Sequence, residues 1–150
     1  MNGKKTYLLG RHPMLIVAAG IFTMIAYARD SANPEAAVST VLLKTDHSWD
    51  GVHYDSYPSG RPELTVLKFV IPPHTTLPWH THMMPNAAYV VSGTLNLESQ
   101  DGRHHATLHA GDVLPEMVGT VHRGWTGDAP VELIVFYAGA KDMPTSVKTP

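Results

Sequence analysis

The chain has no cysteine among its 150 residues. That excludes thiol nucleophiles, thiolate-held zinc, disulfide staples and a lipid anchor on cysteine. Charge is also sparse: Asp, Glu, Lys and Arg together make up 16% of the chain, and the formal net charge is −2. No basic patch is present to hold a nucleic acid backbone, so no nucleic acid partner is expected. Past residue 38 no segment sustains the 3.6-residue periodicity of an amphipathic helix. Internal repeats and low-complexity tracts are missing too, which excludes a solenoid. What the chain does have is punctuation and imidazole: 12 glycines, 12 prolines and 10 histidines.

The one long apolar run lies at the amino terminus. Lys4, Lys5 and Arg11 precede an apolar stretch from Met14 to Ala26, and Ala26-Tyr27-Ala28 matches the small-x-small cleavage pattern. The pattern predicts a secretory signal peptide over residues 1–28, with Arg29 as the first mature residue. The other reading is an uncleaved membrane anchor. At about fifteen residues the stretch falls short of the roughly 20 that cross a bilayer, which favours cleavage and no stable membrane span afterwards. Cleavage removes three basic and no acidic residues, so the formal charge falls from −2 to −5. The compartment implied is the periplasm or exterior of a bacterium. Residues 29–37 read as a flexible lead-in, 38–140 as a β-barrel domain and 141–150 as a C-terminal tail.

Within the barrel segment, strand signals alternate with turns. Val38 to Leu43 is rich in β-branched and aliphatic residues and reads as a strand; Asp46 to Arg61 reads as a structured loop or short hairpin. Leu64 to Ile71 is a strand ended by Pro72-Pro73, which cannot sit in a central ladder. Ala87 to Val91, Thr94 to Glu98, His104 to His109, a strand starting at Val113-Leu114, and a final strand from Val131 to Tyr137 follow, separated by Gly, Asp and Pro turns. Many short strands so punctuated predict an all-β antiparallel sandwich or barrel.

The chemistry concentrates in Trp79-His80-Thr81-His82 and in Gly119-Thr120-Val121-His122. On a strand, His80 and His82 face the same side. Neutral imidazole is the commonest protein ligand for first-row transition metals. Two such ligands on one strand and a third from a neighbour would make a three-histidine site with open positions. The alternative is a set of hydrogen-bonded polar groups lining a pocket.

The run from His74 to His122 resembles the cupin superfamily. That family's first motif reads Gly, five residues, His-x-His, three or four residues, Glu, six residues, Gly; here His80-x-His82 is followed after three residues by Asn86 and after six more by Gly93. The second reads Gly, five residues, Pro-x-Gly, two residues, His; here Gly111 leads to Met117-Val118-Gly119 and then His122. The resemblance implies a small single-domain jelly-roll barrel, a homodimer, and one divalent ion (Fe, Mn, Ni or Zn) held by His80, His82 and His122. Three positions depart from the pattern: His74 stands for the leading Gly, Met117 for the Pro, and Asn86 for the Glu ligand. Three neutral imidazoles leave the ion's charge uncompensated, which favours an anionic ligand or hydroxide in the open positions.

Asn86 then reads as a group that orients substrate or O2 rather than as a ligand, because amide oxygens are poor partners for softer metals. Glu116, six residues before His122, is a candidate general base or fourth ligand, or else a surface carboxylate beside a turn. His74, His104, His105 and His109 read as structural or solvent-facing. Met83, Met84 and Met117 read as apolar filler rather than as soft ligands for copper. Trp79, Tyr89, Trp125, Phe136 and Tyr137 are expected on the barrel wall or a dimer face, and Asp46 and Asp50 on solvated surface. Two functions remain open. One is a metal-dependent enzyme on a small molecule, with Lewis-acid or dioxygenase-like chemistry; the other is a non-catalytic module that binds a small molecule or metal.

Overall fold

The structure, a computed structural model, describes residues 37–149. The signal peptide and most of the lead-in lie outside the described residues. Nine strands form two antiparallel sheets, and no helix occurs among the described residues. None, therefore, is long and apolar enough to cross a membrane. The strands are β1 (Pro62–Ile71), β2 (His80–Thr81), β3 (Asn86–Ser92), β4 (Thr94–Ser99), β5 (His105–His109), β6 (Val113–Pro115), β7 (His122–Thr126), β8 (Val131–Ala140) and β9 (Val147–Lys148). One sheet runs β1-β8-β3-β6 and the other β5-β4-β7-β2-β9.

The core lies between the sheets and follows from period-two alternation. Along β8, Val131, Leu133, Val135 and Tyr137 are buried while Ile134 and Phe136 are exposed; along β4, Leu95, Leu97 and Ser99 are buried. Ile71, Ala88, Val90 and Leu114 complete the apolar centre, with Met84 packed among them. Met84 and Met117 are thus buried filler, while Met83 is exposed.

Beyond shifts of one or two residues at strand ends, three features differ from the sequence reading. Val38 to Leu43 forms no strand, and Val38, Val41, Leu42 and Leu43 are exposed. Its composition favours a pleated surface, but no neighbouring strand offers a ladder, and propensity without pairing does not make a strand. The strand from Val131 continues to Ala140, opposite the whole of β1. It is also not the last, because the tail holds β9, which pairs with β2. The early loop is a short hairpin closed by a His47–His53 bridge, and the backbone N–H of Trp49 ties it to Pro115 O.

Candidate metal centre

Each histidine reaches the site by a distinct local device. The segment after Pro72-Pro73 is laced along β7: Thr126 Oγ1 donates to Pro72 O (2.6 Å), and the N–H groups of Thr75 and Leu77 reach Thr126 Oγ1 and Gly124 O. This lacing delivers His80 directly opposite His122 in the ladder. The alternation of β7 turns His122, Gly124 and Thr126 inward. β2 proper is only two residues long, and His82 follows it in a parallel bridge to Val118, its carbonyl accepting from Gly119 N–H.

The rings converge, with centroids 5.0 Å apart for His80–His82, 4.6 Å for His80–His122 and 5.2 Å for His82–His122. All three Nδ1 atoms face backbone carbonyls: His80 on Pro78 (2.9 Å), His82 on Thr145 (2.7 Å) and His122 on Thr120 (2.9 Å). A carbonyl only accepts, so each Nδ1 carries the proton and each neutral ring keeps its lone pair on Nε2. Metal-binding histidines are held this way by their outer hydrogen bonds. One ligand atom from each of the three lies within 4.8 Å of the others.

Glu116 joins them from the end of β6. Its backbone is fixed on both sides, the N–H donating to Asn86 O (3.0 Å) and the carbonyl accepting from the Tyr54 hydroxyl (2.8 Å). Its side chain is buried, with Oε2 3.1 Å from His122 Nε2. The pair does not meet hydrogen-bond geometry, and both atoms are buried without a hydrogen-bond partner. Buried polar atoms left this way carry a desolvation penalty that an ion between them would relieve. Three Nε2 atoms and one carboxylate oxygen are a donor set suited to a divalent first-row metal. The residues fit the group.

Burial lowers the His80 and His82 pKa values. Burial also acts against His122, but the adjoining Glu116 carboxylate outweighs it and the value rises. For Glu116 burial pushes upward and the histidines, His122 first, pull it below the ordinary value. In metal-free protein these shifts have a definite sign. His80 and His82 lose stability as pH falls below 6.5, because the unfolded chain takes up protons that the folded one refuses. His122 contributes stability that is complete below 6.5 and is lost as pH rises through its folded value. Glu116 loses its contribution only as pH falls through a folded value below 4.5. The cluster therefore gives metal-free protein an optimum near 6.5, and Glu116→Gln removes the alkaline decline. Urea denaturation of both proteins on either side of that pH checks this; parallel alkaline limbs would contradict it.

The three histidines and Glu116 line a cavity of about 170 Å³, walled by Phe69, Leu77, Leu95, Leu97, Val135 and Tyr137 among others. Burial, helped by the Glu116 charge, pushes the Tyr137 phenol up to about 12, so it stays a neutral hydroxyl. Asn86 is not among the lining residues of this cavity. It is buried opposite Tyr137 in the ladder, its Nδ2 donates to Met84 O (3.2 Å), and its Oδ1 has no partner. It borders a larger groove of about 710 Å³, with Tyr54, Tyr57 and Phe136.

Ser146 and Lys148 also line the histidine cavity, and sequence reasoning missed them. Tyr137 was legible as the inward continuation of Val131, Leu133 and Val135. Nothing in the two residues Val147-Lys148 signalled a strand. Asp46 has more company than the sequence suggested: with His47 and His53 it forms a second, fully exposed group able to hold a metal. Asp46 already contacts His47 Nδ1 at 3.0 Å and His53 Nδ1 at 3.5 Å. His74 and His105 are exposed, and His104 sits edge-on to Trp49. Trp79 is stacked under the Arg123 guanidinium.

Two antiparallel sheets closing on a His-x-His strand, with a third histidine directly across the ladder, define a cupin-type β-barrel. The cupin-domain family model matches residues 67–137, and the chain is a small cupin-domain protein. Among solved structures, the DMSP lyase DddQ from Ruegeria pomeroyi DSS-3 is similar with a TM-score of 0.51 and 22% identity, over 57% of this chain and 43% of the lyase. An uncharacterized conserved protein with a double-stranded β-helix domain from Klebsiella pneumoniae gives 0.50 and 21%, over 63% of this chain and 84% of that one. Oxalate oxidase in complex with the substrate analogue glycolate gives 0.50 and 18%, over 58% and 46%. These identities show the fold. The chain spans less than half the length of the lyase and of the oxidase. No curated protein matches it in sequence.

Proposed function

We propose that this protein is exported, holds one divalent ion on His80, His82 and His122, and uses it to transform a small molecule. The observation that carries the catalytic reading is Glu116: a buried carboxylate with an unpartnered oxygen 3.1 Å from a metal-facing imidazole nitrogen. A carboxylate in that position either holds the ion as a fourth ligand or moves a proton beside it, and only the second role calls for a substrate.

When bound, the ion supplies Lewis-acid polarisation of an oxygen ligand and, if it is iron, a route to O2 chemistry. The chain's own residues do the rest. Leu77, Leu95, Leu97 and Val135 exclude bulk water from the pocket. Glu116 accepts or returns a proton at Oε2, and the neutral Tyr137 hydroxyl donates to a bound oxygen. Asn86 lies behind Tyr137, outside the pocket, its side chain held through Nδ2 on Met84 O. The cavity of about 170 Å³ favours a small substrate.

The test is Glu116→Gln in metal-loaded protein, assayed for product formation and oxygen consumption with small chelating substrates. Turnover lost with metal content intact supports the base. Metal lost together with turnover makes Glu116 a fourth ligand. No turnover of any substrate by fully loaded wild-type protein leaves a binding module and contradicts the enzyme.

Dimer formation belongs to the same proposal. The outer face of the β1-β8-β3-β6 sheet exposes Leu64, Val66, Val70, Tyr89, Ile134 and Phe136, with Val66 paired to Phe136 in the ladder. A largely apolar face of this kind, crossed only by the Lys68–Glu132 ion pair between Val66 and Val70, marks an association surface. Val66→Asp is expected to turn a dimer into a monomer in analytical ultracentrifugation; a monomeric wild-type protein would contradict the assignment.

A further inference from the structure

The last residues of the chain are built into the wall of the histidine cavity. β9 pairs antiparallel with β2, setting Lys148 opposite His80 and Val147 opposite Thr81. Thr149 N–H donates to Trp79 O (3.0 Å), Thr145 O holds the His82 imidazole at 2.7 Å, and Met143 packs against the core. Ser146 and Lys148 line the cavity beside the histidines. The segment from Met143 to Thr149 is thus a strap over the same short strand that presents two of the three imidazoles.

Apart from the histidines, the charged side chains lining the cavity are Glu116 and Lys148. They occupy opposite environments: Glu116 is buried against His122, and Lys148 is exposed at the rim. No acidic side chain among the described residues forms an ion pair with Lys148. A divalent ion on three neutral imidazoles, with the Glu116 carboxylate beside them, leaves a net positive centre, and the Lys148 ammonium adds a second positive charge at the entrance. Apolar walls between them weaken screening.

We infer that Lys148 is the anion-recognising residue of this cavity, and that the ligand is a small carboxylate. This rests on the metal-centre reading above and specifies its substrate class. The carboxylate enters past Lys148, its charge balanced by the ammonium on one side and the metal on the other. The ammonium sits on a flexible four-carbon stem, which lets it follow the anion inward. Lys148 is a specificity-determining residue whose charge, rather than its packing, does the selecting.

The experiment uses mature full-length protein loaded with Co(II), with oxalate as the anionic probe and imidazole as the neutral one, followed by cobalt visible absorption. Wild type, Lys148→Gln and Lys148→Arg are compared at low and high salt. Lys148→Gln is expected to weaken oxalate binding about tenfold, the effect of one nearby charge, and to flatten its salt dependence. Imidazole affinity and cobalt content stay unchanged, and Lys148→Arg restores oxalate binding to within about threefold, because the charge is kept. Oxalate affinity in Lys148→Gln within twofold of wild type, with cobalt bound normally, overturns this inference alone. A parallel loss of oxalate and imidazole binding also overturns it, by showing that Lys148 acts only through the strap. A wild-type protein that takes up no cobalt overturns the metal centre together with this inference.

Discussion

Replacing His80 and His82 together by alanine is expected to strip the protein of metal while leaving the barrel folded. The two rings supply two of the three convergent Nε2 atoms, and their Nδ1 protons are already committed to Pro78 and Thr145 carbonyls. What remains is one imidazole and one carboxylate, His122 and Glu116, 3.1 Å apart. Structural and catalytic zinc sites alike keep at least three protein ligands, so content should fall from about one ion per chain to below about a tenth. The fold is expected to survive because the apolar core around Met84, Leu97 and Val135 is untouched, although His82 itself is buried. The hydrogen bonds from His80 to Pro78 and from His82 to Thr145 are lost, a cost of about 1 kcal/mol each. Elemental analysis and circular dichroism of the double variant check both halves. His47→Ala/His53→Ala is the control: that exposed group is satisfied internally, and its removal should leave barrel metal unchanged.

The second large effect is on stability. Gly93 alone connects β3 to β4, at φ +85°, a conformation that side chains rarely adopt. A Cβ there would overlap the Pro130 carbonyl oxygen and press on Val131, with Cγ2 at 3.0 Å and Cα at 3.1 Å. Val131 is fully buried at the start of β8, so neither backbone nor side chain has room to move. Left-handed backbone costs about 1–2 kcal/mol and overpacking about 1–3 kcal/mol, so Gly93→Ala should lose about 2–5 kcal/mol. Gly102, at φ +69° with nothing within 4 Å of the position a methyl would take, isolates the backbone part. Gly102→Ala should lose about 1–2 kcal/mol. Urea denaturation of both variants checks the ordering, and equal losses would contradict it.

The Gly93 turn and the histidines were legible in the sequence because spacing and period two fix them. His80 and His82 share a face on any strand, and the interval to His122 places it in the partner strand. Glu116 was visible as a nearby carboxylate, but its direction was not. It points inward because the Tyr54 hydroxyl and the Asn86 carbonyl pin its backbone, contacts 62 and 30 residues away in the chain. Val38 to Leu43 departs from expectation because β-branched composition alone is not sufficient: a strand also needs an edge to pair with. Lys148 was invisible for the converse reason: Val147-Lys148 has almost no local signal, and only the open edge of β2 makes it a strand. What single-sequence patterning loses here is pairing across long separations, and the cavity's rim is made of such pairs.

Export is checked by the mass of protein recovered from a bacterial host, which should begin at Arg29. The central claim, that the three histidines form a metal centre, is tested most directly by elemental analysis of untagged wild-type protein, as isolated and after incubation with Fe(II), Mn(II), Ni(II) or Zn(II) followed by gel filtration. About one ion per chain is predicted, bound more readily as pH rises and protons no longer compete for the three Nε2 atoms. Protein that carries no metal and takes up none of the four ions would contradict the claim, and would leave His80, His82 and His122 as polar groups of an organic-ligand pocket.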